Sequence, residues 1–160
     1  MIAAVALLFA ALGGTCFPPP VSAPIVAPYV QPACEYCPGH RGVEYAPEAG
    51  TPVTAVADGT VAFAGVVAGT RYVVVLHPNG WKATYGMLSS ASLTRGDVVR
   101  RGQVIGLSGT RLYFGLRDIA DQPVDPTPWL GVVVGRPRLV PTDGRSPRPG
   151  PPPRLVCPAA

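Results

Sequence analysis

The sequence predicts an all-β fold in a single domain, and three observations carry that prediction. Six short runs of β-branched or aromatic residues recur between glycines. An Asn-Gly pair separates two of them, and no stretch keeps a helical period over three turns. At 160 residues the chain has room for one core of ordinary size.

Taken in order, residues 1–14 are apolar and uncharged. The run is too short for a comfortable membrane span and fits the apolar region of a secretory signal. Val21-Ser22-Ala23 offers a small-residue cleavage site, although Pro24 follows it, so residues 1–23 are assigned to a signal peptide. Gly13-Gly14-Thr15 before Cys16 matches a lipoprotein motif poorly. Export is expected, and membrane attachment only through the signal or a lipid. Residues from about 17 to 33 are rich in Pro and Ala, and segment 24–39 is assigned to a linker carrying Cys34 and Cys37.

The folded unit is expected over 40–135, with strands at 52–56, 60–64, 72–77, 81–85, 103–107 and 112–116. Asn79-Gly80 predicts a type I′ hairpin turn, in which both central residues have positive φ. Gly50-Thr-Pro-Val53 with Asp58-Gly-Thr-Val61 is echoed by Gly96-Asp-Val-Val99 with Gly102-Gln-Val-Ile105. Each half reads as strand, tight turn, strand. Lipoyl and biotinyl carrier domains have similar wording, but they need a lysine at a hairpin tip, and Lys82 falls inside a strand signal. Residues 136–160 form a Pro/Arg-rich tail expected to be disordered.

Residues 1–135 hold eight basic and eight acidic side chains, so the net charge of +4 comes from Arg136, Arg138, Arg145, Arg148 and Arg154 against Asp143. A neutral core with a basic tail does not fit a nucleic-acid binder. Lys82 is the only lysine among 13 basic residues, and with 19 Gly and 21 Pro this bias points to a high-G+C bacterium. In an oxidising compartment Cys34 or Cys37 can pair with Cys157 and pin the tail; Cys16 leaves if the signal is cut at 23.

From His40 to Leu130 the ordered motifs resemble the LytM/lysostaphin zinc endopeptidases of the bacterial cell wall. These are His40-Arg-Gly-Val-Glu44, Gly50 to Gly65, His77-Pro-Asn-Gly80, Tyr85-Gly-Met-Leu88, Gly96 to Gly106 and Asp125-Pro-Thr-Pro-Trp-Leu130. The resemblance covers about 90 residues. It implies an antiparallel β-sheet core with a duplicated hybrid motif, related to hammerhead half-barrels, flanked by disordered termini.

It also implies a zinc held by a His, an Asp and the second His of a His-x-His pair, leaving one position for a water that ionises near neutral pH. Carried onto this chain, the ligand positions fall on His40, Glu44 and Tyr113. Glu44 keeps a carboxylate with one extra methylene, and Tyr113 brings a phenol that is a poor ligand at pH 7. Arg111 and Met87 replace the two catalytic histidines, and neither shuttles protons. Residues 111 and 113 alternate onto one strand face. His40 and Glu44 form either a residual metal half-site or an inherited surface pair that holds no metal, and in a sharper form of the second Arg111 pairs with Glu44 and fills the metal position.

Cys34-x-x-Cys37-x-x-His40, with Glu44, is a second candidate metal set, against plain disulfide use of the thiols. Tyr85 and Arg111 are assigned to the groove; Trp81, Phe114 and Trp129 to core or groove wall; and His77 to a solvated turn. The expected function is binding of peptidoglycan or regulation of a cell-wall hydrolase by a degenerate domain. The alternatives are an active zinc endopeptidase with unusual ligands, and a structural module that binds the wall through its tail.

Overall fold

The computed structural model describes residues 16–34, 36–135, 150 and 152–158. Residues 1–15 of the expected signal peptide, and residues 136–149, 151 and 159–160 of the expected tail, lie outside them. Eleven strands are present: β1 (Ile25–Ala27), β2 (Val43–Tyr45), β3 (Pro52–Thr54), β4 (Gly59–Val67), β5 (Thr70–Leu76), β6 (Lys82–Ser90), β7 (Val98–Val99), β8 (Val104–Arg117), β9 (Pro123–Val124), β10 (Val132–Val134) and β11 (Arg154–Val156). One short 3-10 turn covers Thr127–Trp129.

Nine strands form one sheet in the order β1-β2-β8-β6-β5-β4-β7, with β3 and β9 also paired to β8. Every pairing between these strands is antiparallel. The two expected strands at 103–107 and 112–116 are one 14-residue strand, β8, which pairs with four others. The glycines between them read as a break, but Gly106 has no room for a Cβ beside the carbonyl of Ser90 (2.4 Å), so it is a point of close backbone approach within the strand.

The internal echo becomes a cross-pairing. β3 of the first half pairs with β8 of the second, and β4 pairs with β7. Gly50 and Gly96, equivalent in the echo, both adopt positive φ (82° and 97°). The core fills the buried faces with Val43, Val53, Val61, Val73, Val75, Val99, Ile105, Leu112 and Leu116, all at most 1% exposed. Phe114 and Tyr85 join them, rings 5.4 Å apart.

The type I′ prediction at Asn79-Gly80 is corrected. Only Gly80 has positive φ (85°), and the loop closes through His77 N–H to the Trp81 carbonyl at 2.8 Å. That leaves three loop residues, the geometry in which one glycine at the left-handed position suffices. The two-residue turn with both φ positive is instead Ala68-Gly69 (48° and 79°), between β4 and β5. An alanine there gives no turn signal.

Residues 16–33, expected as the end of a signal and a linker, pack onto the sheet. Val21 is 3% exposed, the Pro20 carbonyl accepts from Thr54 N at 2.9 Å, and β1 pairs with β2. Prolines suppress the donor pattern of a strand, yet their carbonyls still accept, and composition alone reads this as a linker. In the tail, β11 pairs with β10, and Cys157 bonds to Cys16. Cys34 bonds to Cys37, so neither takes Cys157 as expected.

Candidate functional site

The residues carried over as metal ligands converge on the face shared by β2 and β8. Glu44 lies directly opposite Tyr113 in register. Opposed residues share a face, and Arg111, two residues from Tyr113, joins them. His40 arrives from the preceding loop, held by paired backbone hydrogen bonds with Val30, both 2.9 Å. Its ring Nδ1 meets the Pro28 carbonyl at 2.7 Å. A carbonyl only accepts, so Nδ1 carries the hydrogen and Nε2 turns toward Glu44.

His40 Nε2 is buried without a hydrogen-bond partner, 3.5 Å from Glu44 Oε1. The other carboxylate oxygen, Oε2, accepts from Arg111 Nη1 at 3.0 Å. The guanidinium is half exposed (52%) and Glu44 largely covered (19%). The expected ion pair therefore forms, and a fixed cation sits on the carboxylate that a metal would need.

Tyr113 does not complete a ligand set. Its ring lies over Gly42, where a Cβ would come within 2.7 Å of it, and its hydroxyl lies over Gly115. Gly115 is two residues farther along β8 on the side away from Arg111. The ring meets His40 edge-on, centroids 5.8 Å apart. Burial pushes the phenol pKa up, and the Arg117 guanidinium nearby only partly offsets this. Met87 sits at an irregularity of the β6–β8 register with φ of 62°, an uncommon conformation for its type.

One expectation is corrected, and the choice between metal and disulfide at Cys34 and Cys37 is decided for the disulfide. Tyr85, assigned to the groove, is fully buried, and its hydroxyl oxygen accepts from Val56 N at 2.9 Å. The size and period of an aromatic strand residue do not say which face it takes. Cys34 and Cys37 are joined to each other, so they offer no thiolates to a metal. Among the described residues, no three His, Cys, Asp or Glu side chains cluster as a metal site. A catalytic zinc needs three protein ligands, and the residues present do not supply that set.

Sequence reasoning also missed His77, expected as a solvated turn. It is 4% exposed, with Nδ1 2.7 Å from the Asp58 carbonyl. The proline and Asn-Gly beside it are turn signals, and burial here comes from Phe17, distant in sequence and stacked on it at 6.2 Å.

Comparison with known proteins finds likenesses in sequence and in fold. The model of Peptidase family M23 matches residues 38–126. The DD-carboxypeptidase/endopeptidase Mpg of Neisseria meningitidis serogroup B is 38% identical over 112 residues, 65% of this chain and 25% of that protein. The murein hydrolase activator EnvC of Escherichia coli is 39% identical over 99 residues, 57% of this chain and 23% of that one. This chain thus spans about a quarter of the length of these relatives. The solution structure of lysostaphin has a TM-score of 0.63 at 24% identity, covering 82% of this chain and 62% of its own, a likeness of fold.

Proposed function

The chain belongs to peptidase family M23, and from that premise we propose that it is a non-catalytic member. In this reading it is exported to the bacterial cell wall, where it binds peptidoglycan or regulates a wall hydrolase. One observation carries the reading: Arg111 Nη1 lies 3.0 Å from Glu44 Oε2. Family catalysis uses a metal at this carboxylate and imidazoles beside it. Here the carboxylate is neutralised by a group that neither leaves nor transfers a proton at physiological pH. Met87 offers no imidazole, and Tyr113 aims its hydroxyl elsewhere. In this reading the face that carries Glu44, Arg111 and Tyr113 is the surface offered to wall polymers. The likeness to EnvC, an activator of murein hydrolases by name, supports a regulatory role.

A second reading, an active zinc endopeptidase with atypical ligands, has one observation in its favour. His40 Nε2 is unpartnered and 3.5 Å from Glu44 Oε1. Two ligand atoms on one tetrahedral zinc stand roughly that far apart.

One experiment separates the two. The full chain is incubated with zinc, dialysed, and analysed for bound metal and for release of muropeptides from peptidoglycan. Substoichiometric zinc and no release are expected. The combined variant Glu44→Asp, Met87→His, Arg111→His, Tyr113→His should gain zinc. Near-stoichiometric zinc in the wild type, lost on Glu44→Ala, sinks the non-catalytic reading.

A further inference from the structure

A second hollow lies away from the groove, beyond the start of β6. Trp81 precedes that strand and Met87 is six residues along it, a separation of roughly 20 Å. The hollow has two adjoining parts, of about 380 and 190 Å³, which share Phe17, Ala57, Asn79 and Arg101 as walls. Together they fall within the range typical of small-ligand sites.

Its polar groups are of both kinds. Asn79 Oδ1 accepts from Trp81 N at 3.1 Å, which leaves the amide hydrogens on Nδ2 uncommitted. Asp58 Oδ1 accepts from the Arg101 backbone N–H at 2.7 Å, and the Arg101 guanidinium donates to the Cys16 carbonyl at 3.4 Å, so the walls carry one carboxylate and one guanidinium that are not paired with each other. His77 Nδ1 carries its hydrogen toward the Asp58 carbonyl. Its Nε2 is therefore an acceptor, and it is buried with no hydrogen-bond partner.

The walls are aromatic. Trp81 and Trp129 meet edge to face at 4.9 Å, and Trp129 is 43% exposed, with indole surface open to solvent. Phe17 stacks on His77. Phe17 lies outside the 38–126 stretch matched to the family, and the segment before that stretch completes the hollow beside Trp129. It is fixed there by Phe17 N–H to the Trp129 carbonyl (2.7 Å) and Gly131 N–H to the Phe17 carbonyl (2.8 Å).

We infer that this hollow binds a neutral sugar unit of a glycan strand. Balanced charge disfavours an anion or a cation. Mixed donors and acceptors, among them the Asn79 amide and the Asp58 carboxylate, suit a ring bearing several hydroxyls. The exposed indole supplies a flat apolar surface for the ring's C–H face. The inference rests on the wall-binding reading for the kind of sugar, and it places the glycan at this end of the sheet with the peptide-facing groove elsewhere.

The test is calorimetric titration of the full chain with a β-1,4-linked N-acetylglucosamine tetrasaccharide, with co-sedimentation on purified peptidoglycan in parallel. Binding of the tetrasaccharide is expected, weakened about tenfold by Trp129→Ala and largely retained by Trp129→Phe. Trp129 is exposed, so its replacement spares the core. No tetrasaccharide binding overturns the inference, as does binding equal in wild type and Trp129→Ala. Binding of D-alanine in place of the sugar overturns it too, since Asp58 and Arg101 would then serve the ammonium and carboxylate of an amino acid. If the wild type sediments with peptidoglycan but ignores the tetrasaccharide, the sugar site fails while the groove reading stands. If it binds the tetrasaccharide but not peptidoglycan, the wall-binding reading fails and the sugar site stands.

Discussion

Replacing Cys16 and Cys157 together by serine removes a cross-link between residues 141 positions apart. In the chain-entropy treatment, closing a loop of that size lowers the entropy of the unfolded chain by roughly 17 cal/mol/K, or about 5 kcal/mol at 25 °C. The same treatment gives about 2 kcal/mol for Cys34–Cys37, whose separation is 3. The native state gives no reason for the long-range bond to fall far below its ceiling. Cys16 is 6% exposed, and Gly131 leaves room for its sulfur, since a Cβ there would come within 2.6 Å of it. Losses of about 3–5 kcal/mol for the first pair and at most about 2 for the second are expected. For a chain of this length these correspond to falls in Tm of roughly 6–20 °C and up to about 8 °C. Scanning calorimetry of oxidised wild type and the two double variants at one concentration reads both. A loss below about 1 kcal/mol for the Cys16/Cys157 variant refutes the reasoning, as does a larger loss for the Cys34/Cys37 variant.

Two further outcomes follow from local geometry and burial. Burial raises the phenol pKa values of Tyr45, Tyr85 and Tyr113 in the folded state. The unfolded chain then releases these protons first, near pH 10, and stability falls as pH rises from there toward the folded values, by up to about 1.4 kcal/mol per pH unit for each group. Tm compared at pH 9 and 11 should show this, and Tyr113→Phe should lessen the slope; a flat profile contradicts it. Ala68 is exposed with φ of 48°, where Asn is better tolerated, so Ala68→Asn should raise stability by about 0.5–1 kcal/mol in urea unfolding.

Much of the sheet was legible because its signals are local. Alternating β-branched runs gave the central strands, and the repeated glycines gave the echo that β3·β8 and β4·β7 pairing realises. The meeting of Arg111 with Glu44 was also legible, since a cation and an anion arrived at positions already expected to share a face. What escaped depends on distant chain. The burial of His77 comes from Phe17, 60 positions away. The cysteine partners were set by where β10 and β11 bring Cys157, which no spacing reveals. Residues 16–33 read as a linker because proline hides an edge segment that serves the sheet through its carbonyls.

The bond between Cys16 and Cys157 also makes the described chain a ring, with the two Cα atoms 5.5 Å apart. Whatever flanks it upstream and downstream departs from one stem, so a tether at either end leaves the domain suspended from the same point. A protease that nicks any one loop between the two cysteines opens the ring without releasing a fragment. The pieces part only once a reductant is present. Under oxidising conditions the two parts of a chain cut once in this way stay covalently joined.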